Sequence, residues 1–492
     1  MAHYYIGGDL GTSDLKLLLV DDQGEGIAQA TKEYPAIHPS TEQSEQDPLD
    51  WRKALLEGLD ELVPLDKRQD VRGIALDGQM HGLVCLDDRD NPLGNAILWN
   101  DNRSIAEVDY LNNAVGKEIL LKETGNIAYP GFTLPKLLWV KRNEPAKYKK
   151  IAHVLLPKDY LNFVLTGNYI SEPSDACGTL YYDPRHNKWS QKLIELTDLP
   201  LSAFPSVIPS GEIAGRIRKE IAKEFGFRED VFVLAGAGDN AAAALGVGAI
   251  DEGDANLSLG TSGTIFMPTN ALLRHDKGAI HSFDSALGNH GLLSCMLSAA
   301  SSLGWLNRHV FETDDFEGEQ EKIKAEELGK NRLYFLPYLT GERSPIADPM
   351  AKGAFIGFTP ETGRKEMTLA VLEGVAFAFK DSLEAVRSMG IEVKESFLTG
   401  GGAKSLLWAK ILANVLGLKL KIVSSRMGPS YGMALLAMVK DGVYASFHEA
   451  KEKNLKVQNV ILPDPELTAL YAERYEAWSK LYPSLKPVYP AI

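Results

Sequence analysis

Apolar and polar positions alternate in short bursts at the start of the chain and again just past its middle. Residues 4–31, YYIGGDLGTSDLKLLLVDDQGEGIAQAT, hold β-prone runs broken by Gly-Thr-Ser and then by Asp-Asp-Gln-Gly, which predicts a meander of antiparallel strands. The next stretch, SEQDPLDWRKALLEGLDELV, changes period. Asp47-Pro48 marks a helix start, and Trp51, Leu55, Leu59 and Leu62 follow at helical spacing. VRGIALDGQMHGLVCLDD then reads as strand, loop and second strand. Residues 104–230 mix helical and loop segments rich in Pro and Gly, the pattern of an elaboration on a core domain. VFVLAGAGDNAAAALGVGAI (231–250) is a strand, a glycine turn and an Ala-rich helix, and the strand run NLSLGTSGTIF (256–266) restarts the opening pattern. The boundary between two α/β domains is therefore expected near 247, giving 1–247 and 248–492. Further on, residues 365–390 predict a helix ending at Gly390, and SFLTGGGAKSLLWAKILANVLG predicts strand, glycine turn and helix. Tyr471, Tyr475, Trp478 and Tyr482 fall on one stripe of a C-terminal helix, expected to face the core.

A chain of 492 residues exceeds what one core usually serves, which agrees with the two-domain reading. Lys+Arg of 52 against Asp+Glu of 66 leaves a net charge of −14, which argues against nucleic acid or a membrane surface as partner. An anionic cofactor remains compatible, because backbone dipoles and one or two cations hold phosphate on an acidic protein. The three cysteines form no C-x-x-C pair, which fits a reducing compartment and excludes a cysteine zinc site. Neither a secretory leader nor an apolar run of membrane-spanning length is visible, so a cytoplasmic location is expected.

Four glycine clusters carry candidate chemistry. GGGAKS (400–405) lacks the glycine that a Walker loop needs directly before its lysine; Ala403 stands there. GAGDNA (236–241) fits the loose dinucleotide pattern but puts Asp239 in the turn, where a carboxylate repels pyrophosphate. The tip L-G-T-S occurs twice, at 10–13 and 259–262. Glycine admits a ligand close to the backbone, Thr and Ser add hydroxyl donors, and successive amides make an anion-binding concavity. Lys16 supplies a cation past the first tip, and Asp9 before it offers hard oxygen to Mg²⁺. Hairpins also use these residues for geometry alone, but two near-identical tips opening two halves favour one phosphate held from both sides. Asp239, after a strand and before a helix, suits a general base for phosphoryl transfer to an alcohol and equally a helix N-cap; spacing leaves both open.

In order along the chain, YIGGDLGTS, GQMHG, ILWNDNR, LLPKDYL, GAGDNAAAALGVG, LSLGTSG, FLPYLTGERSP, LEGVAFAF and TGGGAKSLLW resemble the FGGY carbohydrate kinases, from residue 4 to about 480. The resemblance implies two actin-like ATPase, ribonuclease H-like domains closing on MgATP and a sugar in the cleft between them. The N-terminal domain would carry the sugar site and first phosphate loop, the C-terminal domain the second loop and the adenosine site. By the same resemblance Asp239 is the catalytic base, and Asp9 serves Mg²⁺ and charge balance. Thr12, Ser13, Lys16, Gly260 and Thr261 match phosphate-contacting positions, and Gly400, Gly401, Gly402 and Ala403 the adenosine-side turn. Met80 and His81 match a sugar-contacting pair, with Asn240 beside the base, while Trp99, Asn100, Asp101 and Arg103 match a segment lining or bracing the sugar pocket.

Gln79-Met80-His81 stands where glycerol kinases carry Q-R-E, so the implied reaction is ATP-dependent phosphorylation of D-xylulose to D-xylulose 5-phosphate. Kinases for ribulose, gluconate or a polyol are alternatives, and a non-catalytic sugar and ATP sensor is a further one, as is a homodimer beside a monomer. Three positions depart from the family pattern: Gly8 replaces a usual apolar residue, Asp14 a glycine, and Asp77 a common alanine.

Overall fold

The computed structural model describes residues 2–424 and 428–491. The opening meander forms as expected, with strands Tyr4–Leu10, Asp14–Asp21 and Gly26–Glu33 paired antiparallel in sequence. Tyr4–Leu10 then pairs in parallel with Val71–Gly78 after the intervening helix Pro48–Leu62. That helix begins where Asp47 accepts a hydrogen bond from the Leu49 amide, with Pro48 as its first residue, and Trp51, Leu55, Leu59 and Leu62 are buried. Phe232–Leu234, Ala237–Gly238 and Ile213–Arg216 complete a seven-stranded sheet.

The second half repeats this plan. Asp254–Leu259 lies antiparallel to Gly263–Thr269 and parallel to Glu395–Thr399, and seven strands again form one sheet. The long helix Arg364–Ser388 makes the crossover, and Gly390 follows it at φ 90°. Tyr471 and Trp478 of the C-terminal helix are buried, and Tyr475 and Tyr482 pack against the same core. The doubled α/β architecture implied by the resemblance is thus present.

Among the described residues, two of the places where the halves meet stand out. Helix Pro429–Lys440, from the C-terminal half, lies across the opening strand and beside helix Asp239–Val247. Glycine makes this approach possible: a Cβ on Gly7 would sit 1.7 Å from the Ser430 carbonyl oxygen, and one on Gly246 would sit 2.1 Å from that of Gly428. At the other junction the buried Asn126 side chain donates to the Ser282 carbonyl (2.8 Å) and accepts from the Ser282 amide (3.0 Å). Gly8, an apolar position in the family pattern, has its space filled by Leu17 and Leu76, whose methyl carbons would lie 2.8 and 2.5 Å from an added Cβ.

Candidate active site

The first L-G-T-S tip joins two strands, and side chains from four other segments hold it, three at its backbone and one at the Thr12 hydroxyl. Tyr34 donates to the Gly11 carbonyl (2.6 Å), Gln46 to the Thr12 carbonyl (2.6 Å), and the Trp99 indole to the Thr12 hydroxyl (3.1 Å). Gln79 donates to both the Gly11 carbonyl and Gln46, tying the GQMHG segment to the tip. Ser13 follows in the same turn. The Asp14 carboxylate pairs with Lys16 at 3.1 Å, so the negative charge that departs from the family pattern is met by the cation beside it.

The second tip is built differently. Ala299 and Ala300 amides donate to the Thr261 and Gly260 carbonyls, and the Ser301 hydroxyl adds a bond to Thr261. The Gly400–Ala403 turn presses directly on this tip. Gly400 adopts φ 86°, and a Cβ there would meet the Leu259 carbonyl at 2.6 Å; a Cβ on Gly402 would meet Leu259 as closely. Gly401 is exposed on the outer side of the same turn.

Between the two sheets runs a cleft of about 1000 Å³. Asp9 and Lys16 line it from one side, Gly400, Ala403 and Lys404 from the other. At one end of the first sheet, Asp9 opposes Asp77 on the parallel strand, and Ala237, two residues before Asp239, opposes Asp77 on its far side. Three aspartates therefore converge. Asp239 is the first residue of helix Asp239–Val247, whose capping residue is Gly238 and carries no side-chain cap. The Asp239 Oδ1 accepts instead from the Asn240 amide group at 2.7 Å. Its carboxyl sits in the protein body with one edge open to the site, and desolvation followed by the charge of Asp9 raises its pKa to about 7. Burial raises Asp9 above the usual carboxylate range against the pull of Lys16. Asp77 is held well above that range by burial, then by Asp9 and Asp239.

Met80 packs on Gly238, where an added Cβ would lie 3.0 Å from its sulfur, and its sulfur is 3.9 Å from the Asn240 side-chain nitrogen. His81, at φ 69°, bonds through Nδ1 to the Gly178 carbonyl at 2.8 Å, which makes Nδ1 the protonated nitrogen and leaves Nε2 as an acceptor. Burial lowers its pKa to about 3, so the ring is neutral. Met80, Asp239 and Asn240 thus adjoin, whereas the His81 ring packs edge-on against Phe132 and Trp99 bonds the first tip. The segment after Trp99 divides. Asn100 is exposed, whereas the buried Asp101 accepts from the Ser44 amide and pairs with Arg103, which also pairs with Glu45. Asp101 and Arg103 brace.

Several groups beneath the site were not singled out by sequence reasoning. Lys158, fully buried, bonds Asp159 (2.6 Å) and the Ala235 carbonyl, with Glu172 and Asp175 within 4 Å. Ser174 accepts from the Gly238 amide and donates to Glu172, anchoring the residue before Asp239. From the C-terminal half, His281 is buried edge-on against Tyr129 and Phe132, and Arg343 lies over Tyr129. The LLPKDYL motif pointed at Lys158 and Asp159, and FLPYLTGERSP at Arg343, without giving their roles; Glu172, Ser174, Asp175 and His281 lie outside every quoted motif.

The oxygen-rich end formed by Asp9 and Asp77 suits a hard cation such as Mg²⁺. Among the described residues no set of three acidic, His or Cys side chains could enclose a metal alone. A cation here would complete its shell with water and phosphate oxygens.

Residues 4–246 match the N-terminal domain of the FGGY family of carbohydrate kinases, and residues 255–440 match its C-terminal domain. A xylulose kinase of Escherichia coli (strain K12) is 40% identical over 98% of this chain and 99% of its own length. Among solved structures, a kinase from Brucella ovis described as a xyloylose kinase is 37% identical with a TM-score of 0.93, covering 99% of this chain and 100% of that one. A gluconate kinase from Lactobacillus acidophilus is 26% identical, also with a TM-score of 0.93, over 100% of both chains. No described helix is long and apolar enough to cross a membrane.

Proposed function

The chain belongs to the FGGY family of carbohydrate kinases, and from that premise we propose that it phosphorylates D-xylulose with ATP, giving D-xylulose 5-phosphate and ADP. The observation that carries the reading is the meeting of Asp239, Asn240 and Met80, with His81 next in the chain, beside Asp9, which lines the cleft between the two sheets. In this reaction a sugar hydroxyl oxygen bonds the γ-phosphorus, the bond from that phosphorus to the bridging oxygen breaks, and ADP leaves with the electron pair. Asp239 takes the hydroxyl proton; a carboxylate poised near neutral pH is matched to that task. Thr12, Ser13, Lys16, Gly260 and Thr261 hold the phosphates, and Gly400, Gly401, Gly402 and Ala403 flank the adenosine. Met80, His81, Asn240 and Trp99 orient the sugar, His81 accepting a hydroxyl hydrogen at Nε2. Mg²⁺, when bound, would be held by Asp9 and would neutralise charge between the β- and γ-phosphates.

The lobes of this reading are 1–247 and 248–492, and the cleft between them closes on substrate. Three buried cysteines with no disulfide support a cytoplasmic setting. Gluconate is the second reading, favoured by the Arg343 guanidinium near His81, which could meet a sugar carboxylate. ADP release from MgATP is to be followed across D-xylulose, D-ribulose, L-ribulose, gluconate and glycerol. Preference for D-xylulose supports the proposal; preference for another sugar moves the error to Met80 and His81, and silence with all five overturns the kinase. Sedimentation of the same sample distinguishes monomer from homodimer.

A further inference from the structure

Asp9 and Asp77 stand opposite each other on adjacent parallel strands, about 5 Å apart along the hydrogen-bonding direction, with side chains on one face. Asp77 is 0% exposed, and neither of its carboxylate oxygens has a hydrogen-bond donor. The polar group that meets them is the carboxyl of Asp9. Two carboxylates held oxygen to oxygen in a buried place repel each other, so something positive must lie between them: a proton or a metal cation. The nearby lysines are engaged elsewhere, Lys16 by Asp14 at 3.1 Å and Lys158 by Asp159 at 2.6 Å. Asp239 adds negative charge from the other side. Asp9, unlike Asp77, lines the open cleft, which gives an ion its way in.

We propose that Asp77 and Asp9 together form a divalent-cation site that fills before nucleotide binds. The ligand class is a small hard dication, Mg²⁺ or Mn²⁺, held by two carboxylate oxygens with water in the remaining positions until phosphate oxygens replace some of it. With Asp9 alone, a single carboxylate would leave the cation to arrive mainly with ATP. Asp77, which stands where alanine is common in the family pattern, turns the same corner into a site the protein owns. This inference rests on Asp9 serving the metal in the proposed reaction but is independent of which sugar is used.

The test uses the full chain, stripped with EDTA and free of nucleotide, titrated with Mn²⁺ and read by electron paramagnetic resonance. The expected result is one Mn²⁺ per chain, with binding weakened at least about tenfold in Asp77→Ser and in the isosteric Asp77→Asn. Mg²⁺ should raise the melting temperature of the wild type and not that of either variant. In EDTA both variants should melt at or above the wild-type temperature, having lost a buried carboxyl whose oxygens have no hydrogen-bond donor. Absence of Mn²⁺ uptake by the wild type until ATP is added would overturn the proposal, since a shared proton then separates the pair. Equal affinity in wild type and variants would overturn it too. The sugar-dependent ADP assay reads the kinase separately, so each idea fails on its own measurement.

Discussion

Replacing Asp239 by asparagine separates its chemical role from its cost to the fold. The amide keeps the Oδ1 acceptor that the Asn240 side chain uses at 2.7 Å, and it cannot ionise or take a proton. In the wild type, burial and then Asp9 raise this carboxyl from 3.8 to about 7. The sign follows from linkage. Between those values the unfolded chain has lost the proton and the folded chain retains it, so stability is full below pH 4 and is withdrawn as pH climbs through 7. A move of that size corresponds to on the order of 4 kcal/mol, an upper bound because one edge of the residue meets solvent. Urea unfolding of ligand-free protein should therefore show wild type and Asp239→Asn nearly equal at pH 4 and the variant more stable by ~2–4 kcal/mol at pH 8. Turnover should move the other way. Loss of a general base costs about 10²–10⁴-fold, or ~3–5 kcal/mol of transition-state stabilisation, with sugar binding retained by calorimetry. Near-normal turnover would refute the base, and equal stability at pH 8 would refute the buried, charge-strained carboxyl.

Two other outcomes follow from the same geometry. His81, held neutral by burial with its pKa near 3, should show a flat imidazole proton resonance from pH 5 to 8, and a midpoint near 6.5 would mean that the ring is solvated. Gly246→Ala should cost ~2 kcal/mol or more in urea unfolding, since the added methyl meets the Gly428 carbonyl where neither backbone can yield; an unchanged midpoint would show that the two helices are not so tightly crossed.

Local signals carried the parts of the fold that local chemistry decides. The opening hairpin, the Asp47-Pro48 helix start and the glycine turn before Asp239 each arise from residues within a few positions of one another. The half-to-half echo of L-G-T-S was legible for the same reason: both tips close antiparallel hairpins, with four residues between Leu10 and Leu15 and three between Leu259 and Gly263. Asp77 was visible only as a departure from a pattern, because its meeting with Asp9 depends on parallel pairing across 68 residues of chain. Lys158 sat inside a recognised motif, yet its partners Asp159, Glu172 and Asp175 gain meaning only once they surround a buried ammonium. The Asn126 clasp on Ser282 joins segments 156 residues apart and has no periodic signature at all.

Helix Pro429–Lys440 bears on how the chain is made. The face of the opening strand, Tyr4–Leu10, is translated long before its cover, Pro429–Lys440, leaves the ribosome. Until then Gly7 and its neighbours form a bare patch on a sheet otherwise able to assemble. Synthesis thus leaves an interval in which a holdase could bind, or a premature stop expose, a surface the finished protein never shows. A nascent chain arrested before residue 429 should remain protease-sensitive along its earliest strands.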